Sequence, residues 1–586
     1  MAGGPAGITD HIDRLDGPTG RMRLEQHRSQ LHSARSSFEA RWREIEPLMS
    51  PGDGRFDITE PQTAGKNAHY RILDNRGEFA SDTAAAGIAS GLTSPARPWF
   101  VFMPPEREML ESQAIREWLD TASHTVLKIM AGSNSYRSLP KIYKSMAVFG
   151  TGAMFVDEHP SLVINTRSLP IGSYYLDTGA DGMVNTYFRE MQMTCVQLVE
   201  QFGIASVSPQ VRSSWSTGNY TARYDVVHCI FPRSLYRGAF ATEDGKPFVE
   251  VYYEKGHDSI LTQPGRGEGP RTNQNGAILS SRGYMEFPVM APRWKTTGED
   301  VYGRGPGWSV LGSTRSLMLK HRRVLQAMEK EINPALVGPT MLREQGVSLM
   351  PGTTNFIDVA SGAQGLRPVH EVKFAYEGVL STIVDNRQTI DEAFYADLFL
   401  LLANTDRREI TATEVQAKQE ERLLQLGPVY QNLTSEATEP FVQRVFAIAN
   451  RRGLIPEPPE ELRGEELNIE YTGILAQAMR LSQVSSTERL VGYAAQVSQV
   501  PGGENAMDKI DIDQSIDEMG WALSASPKVL RDDEQVAEIR RQRAEQAEAA
   551  QAMEMAAQAA QTAESLSNTQ TTGQNALTEL LSPTGA

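Results

Sequence analysis

The chain has 586 residues, with 57 lysines and arginines against 73 aspartates and glutamates, a formal net charge of −16. That length allows several domains and a sizeable core. The acidity excludes gripping nucleic acid through a broad basic face, but not letting it pass without sticking.

Residues 19–49 predict an amphipathic helix, with Leu24, Leu31, Phe38 and Ile45 repeating at seven and Pro51-Gly52-Asp53-Gly54 ending it. A second helix over about 71–92 is rich in small residues (Ala84, Ala85, Ala86, Gly87, Ala89), which suits close packing against another backbone. Leu92-Thr93-Ser94-Pro95-Ala96-Arg97-Pro98-Trp99-Phe100-Val101-Phe102 is a turn feeding a strand with a buried aromatic, and helices over about 111–131 and 137–148 follow. From Gly150 to about Trp294 the pattern becomes short strands: 153–157, 173–176, 183–189, 224–231 and 248–253. Residues 177–182 form a hairpin loop, and 261–283, dense in glycine and polar groups, an exposed mobile loop.

A helix opens at Pro306, with Val310, Leu317, His321, Val324, Leu325, Met328 and Ile332 on one face, and Pro334 stops it. It spans about 26 residues, roughly 40 Å. A helix of similar length over 376–403 carries Tyr376, Val379, Leu380, Ile383, Val384, Ile390, Phe394, Leu398, Leu401 and Leu402 at helical spacing. Between these matched rods, some forty residues broken by Gly338-Pro339, Pro351-Gly352 and Gly362 make a compact β-like cap. Rod, cap and returning rod predict an antiparallel stalk with a small domain at its tip. The second rod ends in a polar elbow, Asn404-Thr405-Asp406-Arg407-Arg408-Glu409, after which a Thr411-x-x-Glu414 capping box restarts helix. Gly427-Pro428 and Pro440 are expected to interrupt that helix. Past Arg452 come a linker with Pro456, Pro458 and Pro459, helices over about 473–498 and 507–522, a weakly amphipathic helix over 531–564, and a disordered last twenty residues.

Enzyme chemistry is not legible. Gly65-Lys66 and Gly245-Lys246 lack the upstream glycine and following hydroxyl of a phosphate-binding loop, and His370-Glu371 lacks the second histidine of a zinc-protease helix. Gly303-x-Gly305-x-Gly307 has no surrounding strand–helix–strand unit, so it reads as a structural turn. Asp508, Asp511 and Asp513 read as a solvated helix start rather than a metal site. Cys195 and Cys229, in strand-like contexts without metal-ligand spacing, exclude a disulfide scaffold and suit synthesis in a reducing cytoplasm. No catalytic residue, metal or cofactor is expected. No apolar run reaches the roughly 18 residues of a membrane span, and the first residues lack the basic start and apolar core of a signal peptide. The basic candidates are Arg407 and Arg408 at the elbow and Lys320, Arg322 and Arg323 on the first rod, for which a solvated surface is the plain alternative.

Several segments, in order, resemble the portal proteins, or head-to-tail connectors, of short-tailed, podovirus-type bacteriophages over roughly residues 20–545. They are the Leu92–Trp99 turn, Ser133-Asn134-Ser135-Tyr136-Arg137 with the helix into Gly150-Thr151-Gly152, Tyr302-Gly303-Arg304-Gly305, Ile410-Thr411-Ala412-Thr413-Glu414-Val415, and Pro527–Arg531 leading to Arg540-Arg541-Gln542-Arg543. The resemblance implies an α+β, multi-domain portal fold closing into a ring, usually of twelve subunits, at one capsid vertex, with double-stranded DNA passing through without sequence readout. Its parts would be a helical wing with a strand-rich insert (1–304), a two-helix stem (305–332 and 374–403), a small α/β clip (333–373), a tunnel loop (404–413), a kinked wing helix (414–452), a helical crown (453–530), and a C-terminal crown or barrel helix with a disordered tail (531–586). It also implies major capsid protein, scaffold, packaging ATPase (terminase) and tail adaptor as partners, a place in the virion after synthesis in the host bacterial cytoplasm, and no membrane. Two other readings remain at this point: a different head structural protein, such as a scaffold or ejected core protein, and a packaging motor or nuclease, which the missing phosphate loop and carboxylate cluster disfavour.

Overall fold

The computed structural model describes residues 18–57, 72–106, 109–110, 112–233, 246–255, 278–338, 348, 367–369, 376–403, 425–473, 475–477, 490–498, 505–516 and 533–567. The chain mixes helices and strands and divides into two compact units, residues 1–482 and 483–586.

In the first unit, α1 (Pro18–Met49) buries its seven-residue repeat in two places. Leu24 and Leu31 pack on a five-stranded antiparallel sheet, and Ile45 enters the main core beside Trp42 and Met49. The sheet has strand order β4 (Tyr174–Thr178), β5 (Val184–Thr194), β6 (Arg223–Pro232), β7 (Phe248–Glu254) and β8 (Ile278–Tyr284). Strand alternation sorts its faces. Val227, Cys229, Phe231, Val249, Val251 and Tyr253 meet α1, whereas Val226, Tyr252 and Leu279 meet two short helices, α5 (Cys195–Phe202) and α6 (Pro209–Ser216). A smaller sheet joins β2 (Met154–His159) to β3 (Val163–Ser168) and β9 (Val289–Met290).

Two sequence expectations fail here for local reasons. Residues 278–283 are strand rather than mobile loop, because β8 supplies an edge pairing for β7 that its polar composition conceals; residues 256–277 lie outside the described residues. Cys195 opens a helix instead of lying in a strand. Thr194 accepts from the Gln197 backbone amide and the Gln197 side chain returns a bond to the Thr194 amide, a capping box that ends β5.

The small-residue helix α2 (Arg76–Leu92) lies against α4 (Ser135–Phe149), which follows α3 (Gln113–Gly132). The turn between α3 and α4 is pinned to β3: Asn134 accepts from the Thr166 amide at 2.8 Å and donates to its carbonyl at 2.7 Å. As expected, Trp99 is buried ahead of a strand, β1 (Phe100–Met103), and its indole donates to Tyr136 Oη at 3.1 Å. Its partner, β12 (Asn468–Tyr471), comes from beyond the proline-rich linker.

At the C-terminus of α4 the backbone is approached from three sides. The Phe149 carbonyl accepts from Trp42 Nε1 at 3.0 Å and Trp308 Nε1 at 2.9 Å, satisfying an acceptor that a helix end leaves open. The Gly303-x-Gly305-x-Gly307 run lies directly on the same backbone. A Cβ at Gly305 would sit 2.5 Å from the Ala147 carbonyl oxygen, and one at Gly307 would sit 2.2 Å from that of Val148. These glycines are therefore a close-packing device, as their lack of a strand–helix–strand setting implied.

From this junction α7 (Pro306–Ser309) and α8 (Leu311–Ile332) emerge. The pair β10 (Leu336–Val337) and β11 (Arg367–Pro368) is what is described of the cap. The returning rod is two helices, α9 (Tyr376–Ala393) and α10 (Ala396–Ala403), broken at Tyr395, whose φ is +56°. The expected proline interruption is also different. Residues 425–433 are helical, Thr434–Thr438 form one π-helical segment, and α11 (Glu439–Arg451) continues. The wider π turn absorbs Pro440, which has no amide to donate. Thr411, Glu414 and the capping box between them lie outside the described residues.

In the second unit, residues 490–498 are helical and α12 (Asp533–Ser567) is a long helix, exposed over 540–561, with Val536 and Ile539 half-buried. Asp511 accepts from the amides of Asp513 and Gln514, both at 3.1 Å, while Asp513 forms a bidentate pair with Arg540 at 2.6 Å. This is helix-start capping, as expected of the aspartate run. Among the described residues no group of His, Cys, Asp and Glu could hold a metal, and no helix is long and apolar enough to cross a membrane.

Replacing Gly305 by alanine should cost about 2–3 kcal/mol, because the methyl group meets backbone that cannot rotate away. Equilibrium unfolding of the two proteins checks this, and an unchanged midpoint refutes the close-packing role. A second outcome concerns His228, buried on the face of β6 opposite α1, stacked on Tyr252 at 4.0 Å and bonded to Glu250 at 2.8 Å. Burial holds its pKa below the ordinary value despite that carboxylate. The unfolded chain therefore takes up the proton first, and stability falls as pH drops below about 6.5. Melting temperature should decline from pH 7 to 5.5 in the parent chain and decline less in His228→Gln.

Candidate functional site

The two rods form an antiparallel hairpin. Near the inner end, Lys320 Nζ on α8 donates to the Thr382 carbonyl on α9 at 3.4 Å, and at the outer end Tyr376 Oη donates to Glu331. Leu317, Ile383 and Ile390 are buried between or beneath the helices, with Val324 and Val379 packed against them.

A strap ahead of α2 fastens the hairpin's inner end by charge. Asp74, 7% exposed, accepts from Arg387 Nε on α9 at 2.9 Å, and the same carboxylate oxygen lies 2.9 Å from His321 Nε2 on α8. Two residues later, Arg76 returns a bidentate pair to Asp391 on α9, through Nε at 2.6 Å and through Nη2. Hydrogen bonding to Asp391 raises the Arg76 pKa above its ordinary value. The strap thus gives an acid to one helical turn and a base to the next, a reciprocal pairing that resists sliding as well as separation.

Asp74 also marks one side of the hairpin. Residues three or four apart share a helix face, so Leu325, four beyond His321, and Val384, three before Arg387, continue that side outward. Met328, Ile332 and Leu380 extend it. These five apolar side chains are largely exposed: Leu325 54%, Met328 42%, Ile332 80%, Leu380 51% and Val384 58%. Helical spacing placed them on the apolar faces of the rods; within one chain, nothing among the described residues covers them.

The basic candidates on the first rod do not converge. Lys320 is half-buried and turned toward α9, while Arg322 and Arg323 are exposed, Arg323 donating to Gln326 at 3.2 Å. Asn404, Thr405, Asp406, Arg407, Arg408 and Glu409 lie outside the described residues. Sequence reasoning missed the charged strap. Asp74 and Arg387 are 313 positions apart, and Arg76 and Asp391 are 315 apart, with no local signal pairing either couple.

The family model described as bacteriophage head to tail connecting protein matches residues 21–530. A portal protein of Salmonella phage epsilon15 is 38% identical over 569 residues, covering 97% of this chain and 99% of that protein. A probable portal protein of Bordetella phage BPP-1 is 35% identical over 562 residues, covering 96% and 98%. Among solved structures, a chain from the neck of an empty GTA particle aligns over 73% of this chain and 87% of its own length, at 12% identity and a TM-score of 0.32, too low to support an argument about fold.

Proposed function

Because this chain belongs to the family of bacteriophage head to tail connecting proteins, we propose that it is the structural portal of a phage head, a ring of about twelve copies at one capsid vertex through which double-stranded DNA enters and leaves. In this reading residues 1–304 with 414–452 form the wing and 333–373 the clip. Residues 305–332 and 374–403 are the stem, 404–413 the tunnel loop, and 453 onward the crown, with 531–586 its C-terminal helix and tail. The capsid shell protein and scaffold meet it during head assembly. The clip takes the packaging ATPase first and a tail adaptor later, through the same exposed surface. The role is mechanical and needs no cofactor.

The observation that carries ring closure is the exposed apolar side of the hairpin. Five large apolar side chains on one side of two helices are an aggregation hazard on a solitary chain. Against a neighbouring copy each becomes a contact worth about 1 kcal/mol for the half still open to water. A patch on one side of the hairpin that meets a different surface on the next copy is a head-to-tail arrangement, which closes into a ring when the rotation allows. The net charge of −16 suits the channel. Duplex DNA carries about one negative charge per 1.7 Å of axis, and a basic lumen would hold it by counterion release. Arg407 and Arg408, repeated round the ring at its narrowest point, would give brief phosphate contacts without reading bases, with Asp406 and Glu409 limiting the grip.

Two experiments test this. Leu325→Glu with Val384→Glu should abolish closed rings in native mass spectrometry and end-on electron micrographs while leaving the circular dichroism of the chain unchanged; intact rings would remove the hairpin from the interface. Arg407→Ala with Arg408→Ala should leave rings intact but impair DNA packaging or retention, and full infectivity of that variant would remove the assigned role.

A further inference from the structure

The tip of the hairpin joining β2 to β3 holds a residue in a conformation it resists. His159 and Val163 are the last pair of the ladder, so the loop is Pro160, Ser161 and Leu162. A three-residue loop of this kind is followed by a left-handed residue, a place that glycine usually fills. Here Val163 fills it at φ +66°, against the crowding of its branched Cβ. Such strain persists only where surrounding structure imposes it.

The His159 imidazole supplies that constraint. Its Nδ1 accepts from the Leu162 amide at 3.1 Å and the Ser161 amide at 3.3 Å, with Ser161 Oγ at 3.2 Å. Aspartate or asparagine ordinarily folds a turn this way, through a side-chain oxygen. Backbone amides can only donate, so Nδ1 carries no proton and the ring hydrogen is on Nε2. Histidine is the side chain that changes charge between pH 5 and 8. A second proton can go only to Nδ1, where it would face the donors that now hold the loop.

The loop in its turn holds the end of α11. The Pro160 carbonyl accepts from Arg452 Nη1 at 3.3 Å, and Glu158 accepts from Arg451 Nη2 at 3.0 Å. Arg451 also donates to Glu286 through Nη1 at 2.6 Å. The charged groups around the tip are therefore Asp157 and Glu158 on β2, Arg167 on β3 across from Asp157, Glu286 ahead of β9, and Arg451 and Arg452. Among the described residues, the ring nitrogens of His159 bond to the loop alone.

We propose that the β2–β3 tip is a pH-gated clasp on the end of α11, closed while His159 is neutral and opened by its protonation. The bonds need the neutral ring, so what they contribute is present at neutral pH and lost in acid. With Nδ1 protonated, the Ser161 and Leu162 amides lose their acceptor and Val163 relaxes out of the left-handed region. The Pro160 carbonyl then leaves Arg452, and the chain that goes on to return as β12 is freed at its first residues. One proton becomes a discrete local rearrangement. The clasp stands on this geometry alone and needs no ring.

Hydrogen exchange at pH 7.5 and 5.0, with exposure times scaled for the intrinsic effect of pH, reads the clasp in two peptides. One spans residues 158–165. The other spans 450–456, where the Gly453 and Leu454 amides bond back to Asn450 and Ala449. In the parent both should exchange about fivefold faster at the lower pH, the effect of losing one such bond. His159→Asn keeps an oxygen that accepts from the same two amides but takes up no proton, so both peptides should stay protected at both values. Asp157, whose carboxyl burial pushes up, and the other carboxylates are common to both proteins, so the difference between them isolates His159. Val163→Gly, which removes the strain, should exchange more slowly than the parent at pH 5.0, and His159→Ala should exchange fast at both. Residues 160–162 are exposed, so these variants keep the fold, which circular dichroism checks. Equal exchange of the parent at the two values, the same acid dependence in His159→Asn, or a response confined to 158–165 overturns the clasp. Any of these leaves the portal reading standing.

Discussion

The contact on which the rest depends is backbone against backbone at the end of α4. Glycines 303, 305 and 307 lie on the carbonyls of residues 147–150 closely enough to exclude a methyl group, and two indoles from distant segments share the Phe149 carbonyl. This junction sets where α8 leaves the body of the first unit, and so where the hairpin begins. Dispersion and hydrogen bonding both fall steeply with separation, so a junction made at backbone distance transmits position with little slack. For a component that must hold a long hairpin at a fixed inclination, that is the relevant property.

The hairpin itself divides labour by chemistry. Its inner end is fastened by opposite charges arranged reciprocally on one strap, and the same side further out is apolar and uncovered. Ion pairs fix register and direction but contribute modestly when partly exposed. Apolar area supplies association energy with little directionality. Placing the two in sequence along one side sets the hairpin's geometry within the chain and leaves the outer part of that side uncovered. Membership of the connector family and the named relatives over nearly the whole chain supply the setting in which that uncovered side is useful.

Legibility followed the range of the interactions. The seven-residue stripe of α1, the small-residue face of α2, the first rod and the proline stop after Ile332 all express periodicity or backbone geometry within a few residues, and each appears where the pattern placed it, whereas the returning rod, expected as one helix, is broken at Tyr395. The pairing of β1 with β12 was not legible, because its two halves are separated by more than 360 residues and each is only four residues long. The charged strap stayed hidden for the same reason. Pro440 misled in the opposite direction: a local breaker signal was real, but a single π turn accommodated it. The elbow residues Asn404–Glu409 remain a reading of the sequence alone.

What the sequence determined by itself was the order of elements, the stripe each helix must bury, the absence of a recognisable catalytic motif and, through ordered short motifs, the family. These depend on side-chain periodicity, backbone stereochemistry and residue identity, which are properties of short stretches. Only the tertiary structure decided that Leu325, Ile332 and Val384 face outward within one chain, that Asp74 and Arg76 bind the hairpin, and that Tyr395 bends a helix its neighbours would continue. Helical spacing says that a residue belongs to an apolar face, but not whether that face is covered by its own chain. Coverage depends on which distant surface arrives first, and that is settled by packing over hundreds of residues.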